Sequence, residues 1–374
     1  MDSRPISLYI HVPFCPSKCY YCNFLSFVSS LDIRQQYVQA LIHEIENKKY
    51  LLRTYQVHTL YSGGGCPTLL TIEDWKHITD VLQTVVPFSS SLEWTMEVNP
   101  ATVDETYLLA LFHLGVNRLS FGIQSFDSQV RLLSGRKGDI EDATHLISCA
   151  VAMGFKTIGI DLIMGLPGQT LSLFQQDLDR ALSFSPQHLS LYFLSLEPRT
   201  VLYRRKNILS FPSENHVISF YHYACRALKA KKYIHYEVSN WAQQGNMCRH
   251  NMNYWKQGEY MGLGLGAHSF LNGKRFHNTT HIQKYLAGYM RGVPQAFPRS
   301  TEDQYAEYLL LSLRTKPGIR YAVVSQRFGE SYRALLQQKV EHSLYRRYLH
   351  QGKQGFSLTE EGFLLLDAII LDLL

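Results

Sequence analysis

Cys15, Cys19 and Cys22 fall within eight positions of a chain that has only seven cysteines in 374 residues. Three thiols so close together offer three chemistries: a disulfide, a zinc site or an iron–sulfur cluster. The disulfide is the weakest reading. The opening stretch MDSRPISLYIHVPF has no basic segment leading into an apolar core, so export to an oxidising compartment is not expected. In a reducing compartment clustered cysteines more often bind metal or do chemistry. Structural zinc takes four closed ligands, usually as two separated pairs, whereas here the next cysteine is Cys66, 44 positions past Cys22. A cubane iron–sulfur cluster normally takes four thiolates. Three would leave one iron open to a ligand from outside the protein.

Such residues need a frame to position them. Runs with β-strand character at 7–13, 58–63, 93–99, 118–125, 157–165 and 188–196 alternate with stretches apolar at helical spacing, among them 32–54 and 139–154. The second of these ends in Gly154, at a C-cap position. Six strand–helix alternations predict parallel βα units, and so an α/β barrel or an open doubly wound sheet. Six units suit an incomplete (β/α)6 barrel, whose chemistry would gather at the C-terminal ends of the strands. The polar residues fall there. Pro13 and the cysteines follow the first run and three glycines (63–65) close the second; Glu97 and Asn99 close the third, Gln124 and Ser125 the fourth. Asp161 interrupts an otherwise apolar fifth run that Gly165 ends, and an acid buried there needs a partner.

The alternation stops near residue 235. Three segments are expected: a core domain over 1–235, a loop-rich aromatic connecting region over 236–298, and a small, mainly helical domain of winged-helix-like pattern over 299–374, with a short β-like GFSLT inserted. Hydrophobic residues at 45% and charged residues at 18% describe an ordinary globular chain with material for a core. The longest apolar runs fall short of the roughly 20 residues that cross a bilayer. The net charge of +6 is spread out, with only short basic clusters at 203–207 and 346–348, so nucleic acid is not an expected partner.

With CxxxCxxC directly after YIHVPF, the motifs GGGCPTLL (63–70), EVNPATV (97–103), GVNRLSFGIQSFD (115–127), DLIMGLPGQT (161–170), LSLYFLSLEPRT (189–200) and RHNMNYW (249–255) resemble the radical SAM superfamily, in its coproporphyrinogen oxidase-like branch of HemW-type haem chaperones. The resemblance implies an incomplete (β/α)6 TIM-like barrel. It implies a [4Fe–4S] cluster on Cys15, Cys19 and Cys22, whose open iron chelates S-adenosylmethionine and allows reductive cleavage to a 5'-deoxyadenosyl radical. Tyr9 and Tyr21 match positions near the cofactor; Gly64, Gly65 and Cys66 match a loop against its amino acid part; Glu97, Gln124, Arg136 and Asp161 match the same pocket. Two residues depart from the pattern: Cys66 stands where threonine is usual, and Asn23 where aspartate is common. Cys66 removes a strong hydroxyl donor, or acts as a fourth cluster ligand.

Two functions compete on this resemblance. One is oxygen-independent coproporphyrinogen III oxidase of porphyrin biosynthesis. The other is a chaperone that carries haem and delivers it to haem-requiring acceptor proteins. The oxidase resembles CxxxCxxCxC behind a longer N-terminal segment; here Phe24 holds the last cysteine position and 14 residues precede Cys15. HNMNYW (250–255) matches the HNxxYW motif associated with haem binding, with His250 as the axial ligand. The carrier is therefore favoured, cytoplasmic, in reach of membrane-bound acceptors at the inner face of the membrane, and compatible with a homodimer. A radical SAM enzyme acting on another substrate, such as RNA, is the third reading.

Overall fold

The computed structural model describes residues 4–288 and 299–374. The end of the expected connecting region, 289–298, lies outside the described residues. The chain forms two compact units: Met1–Tyr223 with Glu259–Ala296, and Ala224–Gly258 with Phe297–Leu374. These bounds differ from the sequence-based segments, because the stretch 236–298 is shared between the units.

The first unit is built on β1 (Arg4–Val12), β2 (Tyr55–Gly64), β3 (Phe88–Val98), β4 (Arg118–Gln124), β5 (Thr157–Met164) and β6 (His188–Phe193). They pair in chain order, every neighbour parallel. Between them run α1 (Leu31–Asn47), α2 (Lys49–Leu52), α3 (Ile72–Val85), α4 (Glu105–Leu114), α5 (Ser128–Leu133), α6 (Ile140–Met153) and α7 (Leu171–Ser183). This is the expected incomplete (β/α)6 barrel. Parallel strands covered by helices are largely apolar, and Leu8, Ile10, Val12, Ile160 and Leu162 are fully buried.

The helices start and stop where local chemistry tells them to. Thr71 and Asp74 close a reciprocal capping box on α3. Asp104 and Asp139 cap α4 and α6, which end in left-handed Gly115 and Gly154. The predicted helix over 32–54 is broken at Lys48, leaving α2 as a single turn.

One edge of the sheet was not visible in the sequence. Strand Tyr260–Leu263 pairs parallel to β1 on the side away from β2. Antiparallel strands His268–Leu271 and Lys274–His277 extend it.

The second unit has its own core, in which Leu309, Val324, Leu336, Phe356 and Ile369 are packed. Helices Thr301–Ser312, Tyr321–Phe328 and Glu330–His342 accompany a small antiparallel sheet, where Gly355–Leu358 lies between Leu349–Gly352 and Ile319–Arg320, the last of these falling between the first two helices. Two helices, Glu360–Leu364 and Leu366–Leu373, close the chain. That is the expected winged-helix-like arrangement, and the GFSLT segment is its central strand.

Candidate metal and cofactor site

At the C-terminal ends of β1–β6 lies a cavity of about 520 Å³ lined by Cys15, Cys19, Tyr21, Cys22, Gly64, Gly65, Cys66, Glu97, Gln124, Arg136 and Asp161. Every residue proposed for the first unit therefore converges there except Tyr9, which stands one step back.

The cysteine loop is stapled by hydrogen bonds of its own. Cys15 N donates to Phe27 O at 3.0 Å, Cys22 N to Cys19 O at 3.2 Å, and Phe27 N to Pro13 O at 2.9 Å. Lys18 Nζ donates to the carbonyls of Phe24 and Ser26 at 3.0 and 3.1 Å. His11 ties this loop to β1. Its Nε2 lies 2.9 Å from Leu25 O and its Nδ1 2.9 Å from the Tyr9 hydroxyl. A carbonyl only accepts, so Nε2 carries the proton and Nδ1 accepts from Tyr9. Burial lowers the pKa of His11, which keeps the ring neutral. Sequence reasoning missed His11, although its position two residues from Tyr9 on the same face of β1 was a signal.

The three thiols suit a cluster better than one ion. Among the described residues, they do not form a group whose ligand atoms all lie within 4.8 Å of one another. A single metal would draw its ligands that close; a cubane, with one iron per thiolate, spreads them. Burial pushes the Cys15 thiol up to about 12, so metal must displace its proton. Arg136 Nη1 donates to Cys19 Sγ at 3.6 Å, and its other terminal nitrogen donates to Gly122 O. Burial alone would lower the Arg136 pKa, but its neighbours Tyr21 and Cys19 outweigh that and raise it.

The cavity wall carries unspent polar capacity. Arg136 Nε and Gln124 Oε1 are buried without a hydrogen-bond partner, which a polar ligand would relieve. Gln124 also holds a left-handed backbone, φ 74°. That conformation costs a non-glycine residue on the order of 1 kcal/mol and marks functional sites. Gly64 sits at φ +110°, and a Cβ there would lie 2.5 Å from the His11 ring. At Gly65 a Cβ would lie 2.7 Å from Phe14 O. Only glycine lets this backbone pass the cysteine loop.

Two acids face the cavity. Glu97 accepts from Tyr61 Oη at 2.9 Å and Gly64 N at 3.0 Å. Burial lifts its pKa to about 7, against the pull of those bonds, with Asp161 adding to the rise. Ser120 Oγ lies 3.0 Å from both oxygens of Asp161, whose pKa burial also raises. Ser120 lines the cavity and was not foreseen; neither were Tyr192 and Phe193, which end β6 and stay about 40% exposed at its rim. Cys66 is buried, and its sulfur lies 3.4 Å from Thr68 Oγ1 and 3.3 Å from Thr102 Oγ1.

His250 lies in the second unit, on helix Arg249–Trp255. It is 1% exposed, and its Nε2 is 2.7 Å from the Tyr254 hydroxyl, with the two rings edge-to-face at 4.9 Å. Burial lowers its pKa to about 3. The imidazole is neutral and already engaged.

The Radical SAM superfamily profile matches residues 9–181, and the HemN C-terminal domain profile matches residues 300–365. The chain is 32% identical to heme chaperone HemW of Bacillus subtilis (strain 168), covering 96% of each chain. It is 30% identical to heme chaperone HemW of Escherichia coli (strain K12), over 98% of this chain and 97% of that one. In fold it resembles coproporphyrinogen III oxidase (HemN) of Escherichia coli, a radical SAM enzyme, with a TM-score of 0.85 at 24% identity over 99% of this chain and 90% of the other.

Proposed function

The chain belongs to the radical SAM superfamily, in the family of the HemW heme chaperones, and on that premise we propose how its two units carry haem and hand it to apo-proteins.

In the first unit Cys15, Cys19 and Cys22 hold a [4Fe–4S] cluster, leaving one iron without a protein thiolate for the amino acid end of S-adenosylmethionine. When bound, that pair supplies reductive cleavage of the sulfonium. Arg136 holds Cys19 through its N–H and keeps Nε for the ligand. Gly64 and Gly65 let backbone approach the amino acid part. Glu97, already gripped by Tyr61 and Gly64, and Asp161 could accept from the ligand's ammonium or from its ribose hydroxyls, with Gln124 in the same pocket. Tyr21 and Cys66 complete the wall, and Tyr9 acts through His11 on the cysteine loop.

In the second unit His250 is the haem ligand, and Tyr254 and Trp255 offer flat apolar surface beside it. A neutral imidazole is the form that binds iron. Ligation through Nε2 would require the Tyr254 hydroxyl to release it.

The observation that carries the carrier over the oxidase is Phe24, 69% exposed at the cavity, where the oxidase would place a further cysteine. The test is anaerobic incubation of cluster-loaded protein with S-adenosylmethionine, reductant and coproporphyrinogen III. No decarboxylated product, from protein that still binds S-adenosylmethionine and haem, is expected; product at catalytic turnover overturns the reading in favour of the oxidase. Among the described residues no helix is long and apolar enough to cross a membrane. Delivery to membrane-bound acceptors would accordingly proceed by peripheral contact, which vesicle co-sedimentation tests. A homodimer is tested by light scattering with and without haem.

A further inference from the structure

Glu105 opens α4, and His145 and Cys149 stand four residues apart on α6. None of them lines the cavity. Their donor atoms nonetheless converge: His145 Nε2 lies 2.6 Å from Glu105 Oε1 and 3.5 Å from Cys149 Sγ, and all three lie within 4.8 Å of one another. Among the described residues, no other trio of histidine, cysteine and acid does so. The Glu105 and His145 side chains are about 60% exposed, so a cation can reach them from solvent.

A cysteine, a histidine and a carboxylate in contact also describe a nucleophile with its base. That reading fails on connectivity. In such a relay the acid orients one ring nitrogen while the nucleophile gives its proton to the other. Here sulfur and carboxylate both approach the same atom, Nε2. Three donors pointing at one locus are what a coordinated ion needs.

We infer that Glu105, His145 and Cys149 form a metal site, separate from the cluster, for a borderline-soft divalent cation of the zinc class, with water as fourth ligand. Thiolate, imidazole and carboxylate together favour such a cation over magnesium or calcium, which prefer all-oxygen shells. The usual bond lengths to zinc with tetrahedral angles put sulfur and nitrogen about 3.6 Å apart and nitrogen and oxygen about 3.4 Å apart. The first spacing is already present. The second requires the exposed Glu105 carboxylate to swing outward by less than ~1 Å, replacing a proton between it and Nε2 with metal. Histidine and cysteine at i and i+4 lie on one helix face, and Glu105 brings the ligand from the neighbouring helix. A bound ion would therefore clip α4 to α6.

The test is equilibrium dialysis of untagged, cluster-loaded protein against zinc under anaerobic conditions, with zinc and iron counted together. One zinc per chain with iron unchanged is the expected result. A direct ligand matters at least as much as its outer-shell supports, so Cys149→Ala and His145→Ala should each weaken binding by about 10-fold or more. Glu105→Gln should weaken it less than either. Zinc should also raise the thermal midpoint of the wild type and not that of the Cys149→Ala, His145→Ala double variant. Because Glu105 and His145 are exposed and Cys149 is only partly buried, circular dichroism should show the variants folded. No zinc bound, equal zinc in wild type and double variant, or zinc gained only as iron is lost would each overturn the site.

Discussion

Gly64 and Glu97 meet across neighbouring strands: the glycine N–H at the end of β2 donates to Oε2 of the acid near the end of β3, at 3.0 Å. Burial keeps that acid's pKa near 7, so below pH ~7 the empty cavity holds it mostly as a neutral carboxyl. A cationic ligand prefers the carboxylate. S-adenosylmethionine should therefore bind more tightly as pH rises through about 7, by up to about tenfold per unit below it, and level off above. Titration calorimetry of cluster-loaded protein between about pH 6 and 8 measures this. Glu97→Gln should flatten the profile and weaken binding. A flat wild-type profile would remove Glu97 from ligand contact.

Replacing Cys15, Cys19 or Cys22 by serine should abolish the iron and sulfide that reconstituted protein retains. Cys66→Ala should keep them, because the Cys66 sulfur is engaged with Thr68 and Thr102. Cys66→Thr should also keep them. Iron lost in Cys66→Ala would make Cys66 a fourth ligand.

His250→Ala should eliminate the Soret shift that accompanies haem binding while leaving iron–sulfur content intact. Tyr254→Phe should act oppositely, since it frees Nε2; a lost hydrogen bond of about 1 kcal/mol corresponds to roughly fivefold tighter haem binding. With the His250 pKa near 3, affinity should change little between about pH 5 and 8, where an ordinary histidine would titrate. An unchanged spectrum in His250→Ala would reject the ligand.

Asp177 on α7 accepts from Ser125 Oγ at 2.7 Å, Phe126 N at 2.6 Å and Gln169 Nε2 at 3.4 Å. It thereby fixes the chain just past β4. Asp177→Ala orphans buried donors and should destabilise the protein by about 2–4 kcal/mol in denaturant titration. Burial raises the pKa of Asp177 to about 6, so the native state binds a proton that the unfolded state, near 3.9, has lost. This group's contribution is present below about pH 4 and lost as pH rises through about 6, by roughly 2–3 kcal/mol. Asp177→Asn should remove that slope.

The six barrel strands were legible because each is a short apolar run that must be buried on both faces, and polar residues stood out at one end. The cavity was legible for the same reason: Glu97, Gln124 and Asp161 are out of place in such runs. What could not be read were relations between distant segments. Tyr260–Leu263 is four residues long, and nothing local says that it lies beside Leu8. The left-handed turn at Gln124 and the His11 bridge to Leu25 arise from packing, while the spacing of Tyr9 and His11, or of His250 and Tyr254, puts each pair on one face without saying that they bond.

Ser7 pairs with Tyr260, 253 positions further along the chain. At roughly 5–20 residues per second a ribosome needs about 13–50 s to supply that partner. Throughout this interval β1 leaves the exit tunnel with one edge unsatisfied, and an open strand edge is a site for wrong pairing. The cysteine loop follows β1 directly, and the glycines of β2 that cover it come soon after. Its remaining anchors, Ser134 O, Arg136 and Leu202 N, come later still, so the nascent chain carries open thiols as well as an open sheet edge until the barrel strands are made.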